Sequence, residues 1–458
     1  MREIGRAVAR MHSLGWSVAC LAILLASPAP AQLQHLGAAK LPFSAGVGTL
    51  GDLAFGGDEL AAIYSPLDGS LRLFRYSLAG HPLLDRTIGQ PASFYYEPSL
   101  CWDGTGYAIA SSTLTQAEFM KVDEAGEAVV APFGLPGIPF GGRTAAFRIR
   151  CVADGYAVFG LVLTPSAPGS SLYFTGIHYW KLNAAGFVQD HVDLELQLAP
   201  ISYVGTAGVG TEKEYYDVAL AGNRMFFAYS AECGSPAVFQ TCISVFDTAG
   251  VPTRGEGPAT FVTTKGPHLA TDGVTVALAT LRQDLMPPLG TGNQLYVRFF
   301  DKDGFPYAAA QRYDAGGDFP TGYAPTIFLH QGHFFPTYVY PDPFTLEYRI
   351  KYREFDSAGA AIAATQTITD PNDYLNGGTV NLGIDLQFVS AGTHLLGKGQ
   401  DGVVTITPLL FLVPEPRTEL AIGCGIVGLL ALSRRRCAGP GRARSFRLRS
   451  EGAMLSTS

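Results

Sequence analysis

"HLATDGVTVALAT", His268 to Thr280, is a pair of apolar runs joined at Asp-Gly, and "FDKDG", Phe300 to Gly304, follows it. Each half reads as a short strand, and Asp-Gly is the turn that lets two strands fold back on one another. In "FDKDG" the aspartate can accept hydrogen bonds from its own turn, while the glycine takes a positive φ that other residues resist. The same phrase recurs as "VDEAG" (Val122), "LNAAG" (Leu182), "FDTAG" (Phe246) and "FDSAG" (Phe355), with "YSLAG" (Tyr76) as a looser copy. Their glycines, Gly80, Gly126, Gly186, Gly250, Gly304 and Gly359, fall 46 to 64 residues apart.

The strand–turn–strand unit that precedes each of these phrases is repeated too. It is clearest in "SLCWDGTGYAIAS" and "HLATDGVTVALAT" and visible in "DLAFGGDELAAIY", "RCVADGYAVFG", "DVALAGNRMFFAYS", "TIFLHQGHFFPTYVY" and "DLQFVSAGTHLLG". Two hairpins per period make a four-stranded sheet, and radial repetition of such sheets gives a β-propeller. Seven first hairpins predict seven blades. The last lacks an "FDxxG" turn, so its fourth strand is expected from the N-terminal segment near "QHLGAAKLPF", with "GVVTITPLLF" as its third. Helical periodicity is nearly absent from residues 32 to 412, and Gly, Pro, Thr, Val, Phe and Tyr abound there, which suits short twisted strands and tight turns. An all-β fold is expected; a string of two or three β-sandwich domains is the competing architecture. The repeat is similar to those of large secreted bacterial propeller proteins of undefined activity, a resemblance that carries no active-site residues.

The two ends read differently from the body. Arg2, Arg6 and Arg10 precede the apolar stretch Leu14 to Ala26 and then "SPAPAQ", the build of a secretory signal peptide over residues 1–31 with cleavage after Ala31. At the other end Val413, Pro414, Glu415 and Pro416 stand ahead of a short apolar run, Leu420 to Leu432, that ends on Arg434, Arg435 and Arg436. Such a run makes about 20 Å of helix against a hydrocarbon core of about 30 Å. It is a poor permanent anchor, but its arginines resist translocation and can stall export. The segment 413–436 resembles the PEP-CTERM sorting signal of Gram-negative bacteria. That resemblance implies recognition of "VPEP" by an exosortase-type membrane enzyme, transient membrane contact through the helix, removal of the tail, and delivery to the cell envelope, outer surface or extracellular polysaccharide matrix. A plain C-terminal membrane anchor is the alternative. Residues 437–458 form a basic tail expected to be disordered.

The chain carries a formal net charge of −7, and eight of its 32 Lys and Arg lie in residues 413–458, so the body is more acidic than the whole. An acidic body is a poor nucleic-acid binder, since phosphate contacts need a basic stripe. Four of the seven cysteines lie in the body. In an exported protein they imply disulfides. Cys233 and Cys242 flank "GSPAVFQT" in a long hairpin and are expected to bridge; Cys101 and Cys151, at matching points of neighbouring repeats, form a second bridge or remain buried thiols.

No catalytic set assembles from the sequence: nucleophile elbow, P-loop and HExxH are all missing. "HQGH" (His330 to His333) places two imidazoles across a turn without a third ligand nearby. "DPNDYLNGG" (Asp370 to Gly378) and "FDKDG" offer oxygen atoms of the type calcium uses, but lack the spacing of a dedicated loop, so turn chemistry is preferred and no metal or other cofactor is assigned. "WDG" (Trp102 to Gly104) resembles part of the Asp-box of sialidase-type propellers. Aromatics in "SFYYEP" (Ser93), "EKEYYD" (Glu212) and "YVYPDPF" (Tyr338) pack between sheets or offer platforms for sugar rings. The expected function is binding or structural, with extracellular polysaccharide as partner. A carbohydrate-active hydrolase or lyase using loop carboxylates at the channel is the alternative.

Overall fold

The computed structural model describes most of residues 32–412; residues 1–31, where a signal peptide is expected, residues 413–436, where a sorting segment is expected, the tail to Ser458 and several loops, 368–386 among them, lie outside the described residues. The chain from Pro30 to Leu412 is one compact unit. Among the described residues there are strands and turns and no helix. None is therefore long and apolar enough to cross a membrane as a helix.

The strands form four-stranded antiparallel meanders. Sheet I runs Thr49–Gly56, Glu59–Ser65, Arg72–Ser77 and Pro82–Thr87. Sheet II runs Tyr96–Trp102, Tyr107–Ser112, Ala117–Val122 and Ala128–Gly134. Sheet III runs Arg143–Val152, Gly155–Pro165, Leu172–Asn183 and Val188–Asp193, with Leu198–Ser202 added beside Leu172–Asn183. Sheet IV runs Tyr216–Ala221, Arg224–Cys233, Val238–Asp247 and Pro252–Val262. Sheet V runs Thr264–Thr271, Thr275–Arg282, Gln294–Asp301 and Gln311–Arg312, and sheet VI Thr326–His330, His333–Pro341, Tyr348–Tyr352 and Gln366–Thr367. A five-stranded terminal sheet joins Gln387–Ala391, His394–Lys398 and Val403–Leu412 to Gln32–His35, with Gln32 opposite Leu412, and to Ala39–Ser44, with Ala39 opposite Ile406.

The first strand of each of sheets I to VI lies against the first strand of the next. Repeated four-stranded meanders placed this way form a β-propeller. Apolar clusters fill the spaces between consecutive sheets: Ile63 and Leu73 meet Leu100 and Met120, Phe119 meets Phe147 and Trp180, Phe159 and Tyr179 meet Phe227 and Tyr229, Phe226 and Val245 meet Leu278 and Phe300, and Phe299 meets Phe334 and Phe355. Both faces of a central strand are thus covered. That is why Tyr107–Ser112 is buried throughout and why the strands show no strict alternation of polar and apolar residues.

The five "FDxxG"-type turns within the described residues share one set of hydrogen bonds. Gly126, Gly186, Gly250, Gly304 and Gly359 donate N–H to the carbonyls of Asp123, Asn183, Asp247, Asp301 and Asp356 at 2.8–3.0 Å. In each, the Asp or Asn side chain accepts the N–H of the residue after the glycine, as Phe305 N to Asp301 Oδ1 at 2.8 Å illustrates. Gly304 has φ +85°, and a Cβ on it would stand 2.6 Å from Val245 Cγ2 of the preceding sheet; Gly273, at φ +91°, has open space. Gly273→Ala is therefore expected to cost about 1 kcal/mol through backbone strain alone, and Gly304→Ala distinctly more. Urea unfolding of the two variants checks this, and equal losses would remove the packing part of the argument.

Candidate functional site

The first strand of each of sheets I to VI carries a polar residue immediately before an aliphatic one: Asp52-Leu53, Ser99-Leu100, Arg148-Ile149, Asp217-Val218, His268-Leu269 and Thr326-Ile327. Ser99, Arg148, Asp217 and Thr326 are buried. Ser99 Oγ donates to Asp52 Oδ2 of sheet I at 2.6 Å and accepts the backbone N–H of Ile149 of sheet III at 3.1 Å. One hydroxyl therefore ties three sheets.

Asp217 does the same on a larger scale. Its carboxylate accepts the N–H of Val218 at 2.8 Å and, across to sheet V, the N–H of Leu269 at 2.8 Å. Arg148 Nε approaches Oδ1 at 3.2 Å, Arg150 Nη2 at 3.6 Å, and His268 Nδ1 stands 3.7 Å from Oδ2. Burial by itself would raise the Asp217 carboxyl, but Arg148, then His268 and Arg150, with the Leu269 amide, hold it below the usual carboxylate range. The arginines are held in turn. Arg148 donates to the carbonyls of Phe147 and Tyr216 at 3.2 Å each and lies over the Tyr216 ring. Arg150 donates to Ile149 O at 3.0 Å and Val218 O at 2.9 Å. The Tyr216 hydroxyl donates to Ala146 O, and Ala146 has φ +51° next to the point where the strand pairing slips between Ala145 and Arg148. A carboxylate so occupied is poorly suited to shuttle protons. The cluster holds neighbouring sheets together and leaves two guanidinium groups beside one carboxylate.

None of this was singled out from the sequence, although several of the quoted hairpins open on these polar residues. The pairings join residues about 50 to 70 positions apart and have no local signature. Of the residues that were singled out, Cys101 and Cys151 form a disulfide between the first strands of sheets II and III, Cα–Cα 5.7 Å. Cys242 is disulfide-bonded as well. Cys233 is paired opposite Val238, and Cys242 opposite Tyr229; the side chain of Cys233, and so the expected Cys233–Cys242 bridge, lies outside the described residues. Val413 to Pro416 and Arg434 to Arg436 lie outside them too.

The remaining candidates resolve into local roles. Asp103 of "WDG" accepts the amides of Thr105 and Gly106 and is reached by Lys121 Nζ at 2.6 Å and the Tyr156 hydroxyl at 2.5 Å. Burial opposes its ionisation, yet the bonds from Lys121 and Tyr156 outweigh that and hold it well below the usual carboxylate range. Asp301 of "FDKDG" serves its own turn. His330 and His333 face each other across a turn in which Gln331 and Gly332 have φ +49° and +80°, and His333 Nδ1 meets the buried Glu354 at 2.6 Å. Tyr216 and Tyr338 are buried between sheets, so neither offers its ring to a sugar. "DPNDYLNGG" lies outside the described residues. Among the described residues no group of three or more His, Cys, Asp or Glu is placed to hold a metal.

No family model matches the chain, and no curated protein matches it. Its structure is similar to several solved ones at low identity. Polysaccharide lyase Uly1 aligns with TM-score 0.49 and 9% identity over 79% of this chain and 89% of the lyase. A puromycin-hydrolyzing peptidase of Mycobacterium tuberculosis gives 0.47 and 14% over 81% of this chain, which spans 53% of that peptidase. The β-propeller domain of the Trilobed protease from Pyrococcus furiosus gives 0.36 and 10% over 72% of this chain and 98% of that domain.

Proposed function

We propose that this chain is an exported seven-bladed β-propeller, directed to the cell surface or extracellular matrix of a Gram-negative bacterium, where it has a binding or structural role with polysaccharide as partner. Support for a seventh blade comes from the terminal sheet, whose strand Gln387–Ala391 lies against both Thr326–His330 and Thr49–Gly56. The observation that carries the non-catalytic reading is the occupation of the acids on the first strands: Asp52 is bonded to Ser99, and Asp217 to two amides and the arginines. A glycosidase needs a pair of carboxyl groups free to exchange protons or attack. Incubation with polysaccharide from the producing cell's matrix should retain the chain on the polymer without shortening it. A steady release of new chain ends would overturn the reading in favour of a hydrolase or lyase.

The address rests on the sequence of both ends. Changing Pro414, Glu415 and Pro416 to alanine is expected to leave the precursor uncut in the membrane, because an exosortase-type enzyme loses its recognition site. Replacing Arg434, Arg435 and Arg436 with neutral residues removes the positive stop, so that some chains pass through unsorted. Mass spectrometry of the surface fraction is the direct measurement, and an intact C-terminus at Ser458 in most molecules would favour the plain anchor.

A further inference from the structure

The first strand of each of sheets I to VI is bonded on one side only, to the second strand of its sheet. First strands of successive sheets lie against one another, while the fourth strands Pro82–Thr87, Ala128–Gly134 and Val188–Asp193 are largely exposed. The first strands therefore stand at the central channel of the propeller, and their unpaired edges turn towards it. At every second residue of such a strand both backbone groups point away from the paired strand, and side chains complete them here. The Ile149 N–H goes to Ser99 Oγ at 3.1 Å, and Ile149 O accepts Arg150 Nη1 at 3.0 Å. The Val218 N–H goes to Asp217 Oδ1 at 2.8 Å, and Val218 O accepts Arg150 Nη2 at 2.9 Å. The Arg150 guanidinium thus spans the open edges of sheets III and IV. Two of the five N–H groups of an arginine are used in this way. Its side chain is 32% exposed, and Asp217 Oδ1, 3.6 Å from Nη2, lies beyond hydrogen-bond reach. Among the described residues no acceptor meets the other N–H groups.

We propose that Arg150 is a binding site at the channel for the carboxylate of an acidic sugar, so that the polysaccharide partner is a uronic-acid polymer. The inference rests on the polysaccharide reading above and narrows it. A guanidinium already held by two carbonyls loses little freedom on meeting a ligand, and its remaining N–H groups suit the paired oxygens of a carboxylate. The local charge favours an anion: Arg148 and Arg150 share the single carboxylate of Asp217, in a chain whose net charge is −7. Arg148 supplies charge but not contact, because it is buried and donates to Phe147 O and Tyr216 O. A neutral polymer gains nothing from either arginine.

Trigalacturonate, and the same trimer with its carboxyl groups methyl-esterified, are the probes. Titration calorimetry of the full chain is expected to show saturable binding of the acid at one site, at least about tenfold tighter than that of the ester and weakened at least about tenfold by Arg150→Gln. Arg86→Gln, on an exposed fourth strand, should leave the titration unchanged. Labelling of the native chain with phenylglyoxal, which modifies arginine, stands even if Arg150→Gln does not fold. Peptide mapping should then show Arg150 protected by the acidic trimer and Arg86 not, with far less protection by sodium acetate, a carboxylate without a sugar. Equal affinity for acid and ester, full binding by a folded Arg150→Gln chain, labelling of Arg150 that the trimer does not slow, or equal protection by acetate would overturn the proposal. Any of these with the native chain still retained on matrix polysaccharide strikes this inference alone, whereas loss of that retention strikes the polysaccharide reading itself.

Discussion

A chain carrying Asp217→Ala is expected to unfold in much less urea than the native chain, with a loss of about 3–5 kcal/mol. The carboxylate is buried among Arg148, Arg150 and His268, and it accepts amides from its own sheet and from the next. Truncation leaves two guanidinium groups beside each other without their counter-charge and strips the Leu269 and Val218 amides of their acceptor, each a substantial penalty in a buried site. Asp217→Asn keeps one acceptor and removes the charge, so it should fall between the two. A loss below about 1 kcal/mol for the alanine variant would mean that water or rearranged partners replace the carboxylate, and that the cluster is not what holds sheets III, IV and V together.

The second large effect belongs to the bridge between Cys101 and Cys151, which are 50 residues apart in sequence. In the chain-entropy description, closing a loop of that length restricts the unfolded chain by about 4 kcal/mol. The double variant Cys101→Ala/Cys151→Ala should therefore lose close to that amount against the oxidised protein in equilibrium unfolding. Reduction of the native protein by dithiothreitol should reproduce most of it. The bridge links first strands already in contact, so the native geometry is expected to persist, and near-identical strand content by circular dichroism would accompany the lower midpoint. An unchanged midpoint would show that the unfolded chain is not restricted by the bridge.

What could be read from the sequence is what local chemistry dictates. The aspartates and glycines of the turns at Asp123, Asp247, Asp301 and Asp356 announce themselves because every bond they make lies within five residues. The hairpins followed from the same turns, and the four-stranded sheet from their alternation. The bridge between Cys101 and Cys151 was one of two expected states of that pair, since equivalent positions of adjacent repeats are neighbours in space. The Arg148–Asp217 contact could not be foreseen in this way: the residues are 69 apart, and a charged side chain early in a strand reads as solvent-facing until the next sheet is placed against it.

The pairing of Gln32–His35 with Val403–Leu412 sets a clock on the life of this molecule. Ribosomes make the first of these strands about 370 residues before the second, so Gln32–His35 is present long before its partner arrives. The entropy of joining the two grows only slowly with the length between them, so the wait, rather than the closure, dominates. During that interval an unpaired strand edge stands open to other chains. Completion of the fold is thus timed by arrival of the final strand, and a molecule interrupted before Val403 remains permanently unfinished, with its first strand still available to strangers.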